Sequence, residues 1–474
     1  MEYGQVVSGR RPIPACRPSS VARLVRPSAT TLAVAGALVA IAGCARQIAH
    51  PLVASFEPVA VPGVAERHGI AAGAAHACAL GADGTVVCWG NNAAGQLGNG
   101  TTAGASTPVA VEGLAGAVGI AAGRVHTCAF GGDGAVACWG DNREGQLGNR
   151  TMLASSLAVP VAGVSGAVAI ASGWAHSCAL IEDGSVWCWG NNQEGQLGVG
   201  TRMMAEGPVR VARIDNAVGI GAGVAHTCAV LFDGRVACWG NDGFGQTFGT
   251  SFGLRSSRPV LIAGITSAAA VAAGRNHTCA LLRERVVKCW GANNFGQLGA
   301  PGGTFSPSVP VQVALVADAV SITAGFFHTC ALASDGSVRC WGANIAGQLG
   351  APSENRTASA LPMDVIGAPP ATAVAAGGVY TCALLEAGDV ACWGGNDFNQ
   401  LGAPLAQAGA GPSPSARSDS TTASPPSPDP ASGAPSSSVE PVPPSSEPAS
   451  APPPAAPADA PSTRGSYMGR IQRR

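Results

Sequence analysis

The sequence predicts an all-β protein, a seven-bladed β-propeller of four-stranded blades, and three observations carry that prediction. A pattern opens at His76–Gly98, and its first cysteine, Cys78, returns at Cys128, Cys178, Cys228, Cys279, Cys330 and Cys382, at intervals of 50 to 52 residues. A fixed period of this length marks units that bury one core between neighbours. Composition agrees: 66 glycines and 12% charged residues describe a turn-rich chain with little helix. Each unit also divides into four short β-like pieces, in the first unit 58–61, 69–72, 76–80 and 85–89. Four strands in each of seven units fit a propeller.

Taken in order, residues 1–44 read as an export signal, with Arg10, Arg11, Arg17, Arg23 and Arg26 ahead of an uncharged run from Thr31 to Gly43. That run is too short to span a bilayer. It ends Ile41-Ala42-Gly43-Cys44, which resembles the lipobox of bacterial lipoproteins; the resemblance implies a lipid on Cys44, attachment to a membrane, and a place in the bacterial cell envelope, periplasmic or at the outer surface. An ordinary cleaved signal, or a start-site extension, is the competing reading. Residues 45–57 form a short linker, and the repeats fill 58–402.

Within a unit, Cys78 and Cys88 flank Ala82-Asp83-Gly84, a three-residue hairpin with glycine at the left-handed position. Counting outward from that turn sets 80 against 86 and Cys78 against Cys88, close enough for a disulfide. The same spacing pairs Cys128 with Cys138, Cys178 with Cys188, Cys228 with Cys238, Cys279 with Cys289, Cys330 with Cys340 and Cys382 with Cys392. Only Cys16 and Cys44 are left over, both in the targeting segment. Zinc at His76, Cys78 and Cys88 is the rival, but a fourth ligand is missing and Tyr380 replaces the histidine in the seventh unit. No metal and no cofactor are expected.

The histidines His76, His126, His176, His226, His277 and His328 recur once per unit, which suits a structural hydrogen bond better than catalysis. Trp89, Trp139, Trp189, Trp239, Trp290, Trp341 and Trp393 each follow the second cysteine and so point to the opposite face of the strand, towards a neighbouring blade. A proline opens the first piece of every unit, at Pro58, Pro108, Pro160, Pro208, Pro259, Pro310 and Pro362, and is expected at the start of a strand. No copy follows Gly402, so strand 58–61 should complete the last blade and fasten the ring.

His-x-Cys-Ala-Leu, Asp-Gly-x-Val, Trp-Gly-x-Asn and Gly-Gln-Leu-Gly together resemble the repeat of the regulator of chromosome condensation family. The resemblance covers 58–402 and implies a seven-bladed propeller. The family's founder is a nuclear exchange factor that works partly through an inserted hairpin. Spacings of 50 to 52 leave no room for such an insertion, and that role is not expected here.

Residues 58–402 carry a net −5 and one lysine, Lys288, which lacks the basic stripe that nucleic acid requires. Residues 403–474 turn to Ala, Pro and Ser, a composition that reads as a disordered tail. Specificity must lie where the units differ. Strand alternation puts the loops before the histidines and the Asn-to-Gly-Gln connections on one face of the ring. There stand Arg124, Trp174, Arg275, Phe326 and Phe327, with Phe244, Phe295 and Phe398, a candidate protein-binding face; local packing beneath the loops is the alternative.

No constellation of nucleophile, base or paired carboxylates is confined to one place, so a non-enzyme is expected. An exported scaffold that binds a protein or envelope component leads. A secreted inhibitor using the loop face, or a lyase or hydrolase at the central channel, are the alternatives. A monomer is expected.

Overall fold

The computed structural model describes residues 54–247, 255–300, 309–351 and 357–402, and every regular element among them is a strand. The signal segment with Cys44, most of the linker and the tail 403–474 lie outside the described residues. The first strands are β1 (Ala54–Ala60), β2 (Arg67–Ala72), β3 (His76–Gly81), β4 (Val86–Gly90) and β5 (Ala105–Ala110). β2 to β5 pair antiparallel in chain order as blade one. The same sheet recurs in every blade, seven in all. The architecture is a seven-bladed β-propeller.

The register is the one that the hairpin turn dictates: Leu80 faces Val86, Ala79 faces Val87 and Cys78 faces Cys88. Gly84 holds φ at 77° in that turn, as its counterparts do in five other blades. In blade five Arg285 occupies the position at φ 62°, so a residue with a Cβ does accept the left-handed conformation there.

Alternation along the strands then sorts the core. Cys78, Leu80, Val86 and Cys88 face blade two and pack on Trp139. Ala77, Ala79 and Trp89 face the other way, onto Cys382, Leu384, Val390 and Cys392 of blade seven. Each seam thus fits a tryptophan of one blade against the cystine of the preceding one. The seven seam tryptophans are fully buried, and an indole of this size contributes about 4–6 kcal/mol of transfer free energy.

Ring closure follows the sequence expectation. β1 pairs with Val390–Gly395, the third strand of blade seven, with Val59 against Cys392 and Ala60 against Ala391. The first strand of the chain therefore covers an edge that the last unit leaves open.

The prolines require a correction. Most do not open the strand: Pro58 and Pro108 sit inside the outermost strand, in stretches where the register slips, between Ser55 and Val59 in one blade and between Ala105 and Val109 in the other, whereas Pro310 stands directly before the two-residue strand Val311–Gln312. Pro160 is also out of step, because it faces Ala137 and so matches Ala110, not Pro108. An edge strand with a bulge leaves amides without ladder partners, and that tolerates a residue with no N–H along the strand and not only at its start.

Candidate functional site

Strand direction gives the ring two faces. β2 runs up to the turn 73–75, β3 runs away from it, and β4 returns to the connection 91–104. The loops before the histidines and the Asn-to-Gly-Gln connections therefore share one face, and the Asp-Gly turns share the other.

Beneath the first face six of the seven seams hold a buried polar relay of histidine and hydroxyl. His76 Nε2 lies 2.9 Å from Thr127 Oγ1 in the next blade. Thr127 donates its hydroxyl to the Gln96 carbonyl at 2.9 Å, and Trp139 Nε1 donates to the same oxygen at 2.9 Å. Because the hydroxyl proton is committed to Gln96, the imidazole must donate through Nε2, which fixes the tautomer. The pattern repeats with His126 on Ser177, His176 on Thr227, His226 on Thr278, His277 on Thr329 and His328 on Thr381.

Burial pushes these imidazoles down, to about 4 at His76, His176 and His277 and about 3 at His126, His226 and His328. Protonation would add a donor at Nδ1, which is buried without a protein partner in all six. The histidines are thus held neutral as braces across the seams. Only the hydroxyl residue inside His-x-Cys was missed from sequence; its signal was a Thr or Ser in six units and Ala77 in the first.

Seven disulfides join the predicted partners, Cys78–Cys88 through Cys382–Cys392, and every sulfur is buried. Sulfurs bonded to each other cannot serve as thiolate ligands, so the zinc arrangement is closed off. In the three-residue hairpin register these bridges cross between neighbouring strands of one sheet and staple each blade.

At the axis, the seven turns meet in a ring of glycines. A Cβ on Gly123 would come within 2.3 Å of His126 Cε1 and 2.5 Å of the Gly173 carbonyl. Side chains can project only from the residues just after each glycine, and there the units differ. Trp174 of blade three reaches across the axial mouth to Phe326 of blade six, with ring centroids 5.4 Å apart. Phe326 meets Phe327 edge-on at 6.5 Å, and Phe327 packs on Phe295 at 5.1 Å. Arg124 stacks over Trp174 at 4.4 Å and Arg275 over Phe327 at 5.1 Å.

Six of the eight residues singled out from sequence thus form one continuous chain over the mouth, from Arg124 through Trp174, Phe326 and Phe327 to Arg275 and Phe295. Phe244 and Phe398 are carried on the Asn-to-Gln connections of blades four and seven, 39% and 50% exposed. The aromatic rings pack on one another, as the local-packing alternative holds, and yet Trp174, Phe326 and Phe327 stay partly open to solvent. Arg124 and Arg275 are exposed.

Around this centre the carboxylates are engaged. Glu144 accepts from Asn191, Glu194 accepts from Asn241 and pairs with Arg255, and Asp141 pairs with Arg143. Neither Arg124 nor Arg275 has a carboxylate within ion-pair distance among the described residues.

Comparison with known proteins agrees with the fold. Part of the chain is 33% identical to the probable E3 ubiquitin-protein ligase HERC6 of Homo sapiens, over 28% of this chain and 13% of that protein. It is 32% identical to the secretion-regulating guanine nucleotide exchange factor of Bos taurus, over 29% of this chain and 31% of the other. The ultraviolet-B receptor UVR8 of Arabidopsis thaliana is 33% identical over 28% of this chain and 30% of its own. The matched stretch is under a third of the length of each relative.

Among solved structures, yeast RCC1 (Prp20) bound to Kap60 superposes with a TM-score of 0.61 at 22% identity, covering 70% of this chain and 82% of that one. Human WBSCR16 gives 0.61 at 22%, covering 70% and 87%. Both likenesses concern the fold alone. The regulator of chromosome condensation (RCC1) repeat matches residues 83–130, a second description of that repeat matches 68–96, and the RCC1-like domain matches 107–423, two-thirds of the chain. The chain belongs to the RCC1-like domain family.

Proposed function

We propose that this protein is an exported, membrane-anchored propeller that works as a protein-binding module of the cell envelope and acts by binding, not catalysis. The observation that carries the reading is the chain of rings and guanidiniums from Arg124 to Arg275. It sits on a rigid ring, which holds the side chains in place before a partner arrives and lowers the ordering cost of binding. Tryptophan and arginine are also the residues on which binding energy concentrates.

Seven disulfides suit an oxidising compartment, in keeping with the export signal read at 1–44. The anchor would be the lipid on Cys44. Labelling cells with a palmitate analogue tests it: wild type should take label and Cys44→Ala should not, while absence of label from both removes the anchor.

The binding reading is tested by photo-crosslinking in the native host from Phe398, on the loop face, and from Phe232, 74% exposed beside the Asp233-Gly234 turn of the opposite face. A crosslinked partner from Phe398 alone supports the loop face; a partner from Phe232 alone overturns it.

A further inference from the structure

We propose that the axial mouth on the loop face is a docking site for an acidic segment of the partner protein, received by Arg124 and Arg275. The inference rests on the protein-binding reading above and specifies the chemistry of the partner.

The charge distribution points that way. The seven turns that make the mouth, 73–75, 123–125, 173–175, 223–225, 274–276, 325–327 and 377–379, contain two charged residues, and both are arginines. The propeller segment as a whole carries −5, so the mouth is a positive spot in an acidic ring. The carboxylates around it make their contacts elsewhere, and neither arginine is ion-paired among the described residues. Glu144 and Glu194 turn sideways to asparagines of the neighbouring blades, and Asp141 is held by Arg143 and Gln146.

The two guanidiniums are also prepared for a carboxylate. Each has its guanidinium carbon over an aromatic ring, Trp174 at 4.4 Å or Phe327 at 5.1 Å. The N–H donors of a guanidinium lie in its plane, so a carboxylate can still be received at the edge, in bidentate fashion. Stacking restricts the long side chain beforehand, which reduces what binding must order. Between the arginines, Phe326 and Phe327 offer a partly exposed apolar floor. The complement is a peptide stretch in which acidic residues alternate with apolar ones.

Nucleic acid is the less suited anion. Its backbone repeats a charge every few ångströms and calls for many cations, whereas the mouth has two inside a ring of opposite sign.

The test uses the full mature chain and three fluorescent probes: a short alternating Glu/Phe peptide, its Lys/Phe counterpart and a DNA duplex of similar length. The Glu/Phe peptide should bind wild type, weaken as salt rises, and lose roughly tenfold or more in Arg124→Gln/Arg275→Gln. Both arginines are exposed, so the double variant should melt within a degree or two of wild type, roughly the effect of surface changes. The proposal is overturned if the Glu/Phe peptide does not bind, binds the double variant equally well, or is outbound by the Lys/Phe peptide or the duplex.

Crosslinking from Phe398 in the double variant separates this inference from the one beneath it. A native partner still captured there, indifferent to the arginines, would leave loop-face binding standing and remove the acidic partner.

Discussion

The hydroxyl of Tyr380 donates to the main-chain carbonyl of His76, and this bond closes the ring at the seam between blades seven and one. The other seams use a histidine on a Thr or Ser hydroxyl; here Ala77 has no hydroxyl to offer, and a longer phenol in place of imidazole reaches the backbone instead. The two departures from the repeat compensate each other. Both residues are fully buried.

That relationship gives a double-mutant prediction. Tyr380→Phe removes a buried hydrogen bond and should cost about 1–2 kcal/mol. Tyr380→His alone should cost more, since its Nε2 faces Ala77 without an acceptor, and adding Ala77→Thr should rebuild the relay and recover about 1–3 kcal/mol. Urea unfolding of the single and double variants measures the coupling. Strict additivity would contradict the account.

The histidine braces set a pH dependence. Above pH 6.5 they are neutral in both states and do not favour either; below it the unfolded chain takes up protons that the fold refuses until about pH 4 or 3. Stability should therefore fall as pH drops from 6.5, by about 1.4 kcal/mol per pH unit for each histidine. Urea midpoints at several pH values between about 7 and 5 should decline steeply; a flat profile would show that the imidazoles are not held neutral.

The glycine ring separates two kinds of glycine. Gly123→Ala meets backbone on one side and the His126 ring on the other, so the variant should lose several kcal/mol, on the order of 3 or more, or fail to fold. Gly113, unlike Gly123, has a positive φ, 74°, but nothing stands within 4 Å of its missing Cβ. Gly113→Ala should cost only about 1–2 kcal/mol. Comparing melting temperatures of the two checks the order, and equal losses would mean that axial packing is not the constraint.

Each disulfide closes a short loop. Replacing both Cys178 and Cys188 by Ala should cost about 2–3 kcal/mol on the chain-entropy view, less what the hairpin already restricts. Denaturant midpoints under non-reducing conditions measure this. An unchanged midpoint would show that the bridge adds nothing to the blade.

Much of this was legible in the sequence because it depends on local spacing. A separation of ten between Cys78 and Cys88 around a three-residue turn leaves one register, and the register places cystine and tryptophan on opposite faces. Closure by β1 followed from the order of pieces within the unit.

What could not be read depends on the ring as a whole. Thr127 meets His76 only because the next blade swings it there, 51 positions along the chain. Trp174 and Phe326 come from blades three and six, and whether their rings meet over the axis depends on the width of the mouth, which no spacing encodes. The prolines misled because period alone cannot tell a strand start from an edge bulge, as Pro160 shows.

The central claim is that the aromatic chain over the mouth serves a partner and does more than plug the ring. Trp174→Ala/Phe326→Ala, purified and melted beside wild type and then used as bait in the native host, tests it most directly. The account predicts loss of the partner that wild type captures, with a fold that remains intact. Unchanged capture together with a lowered melting temperature would contradict it.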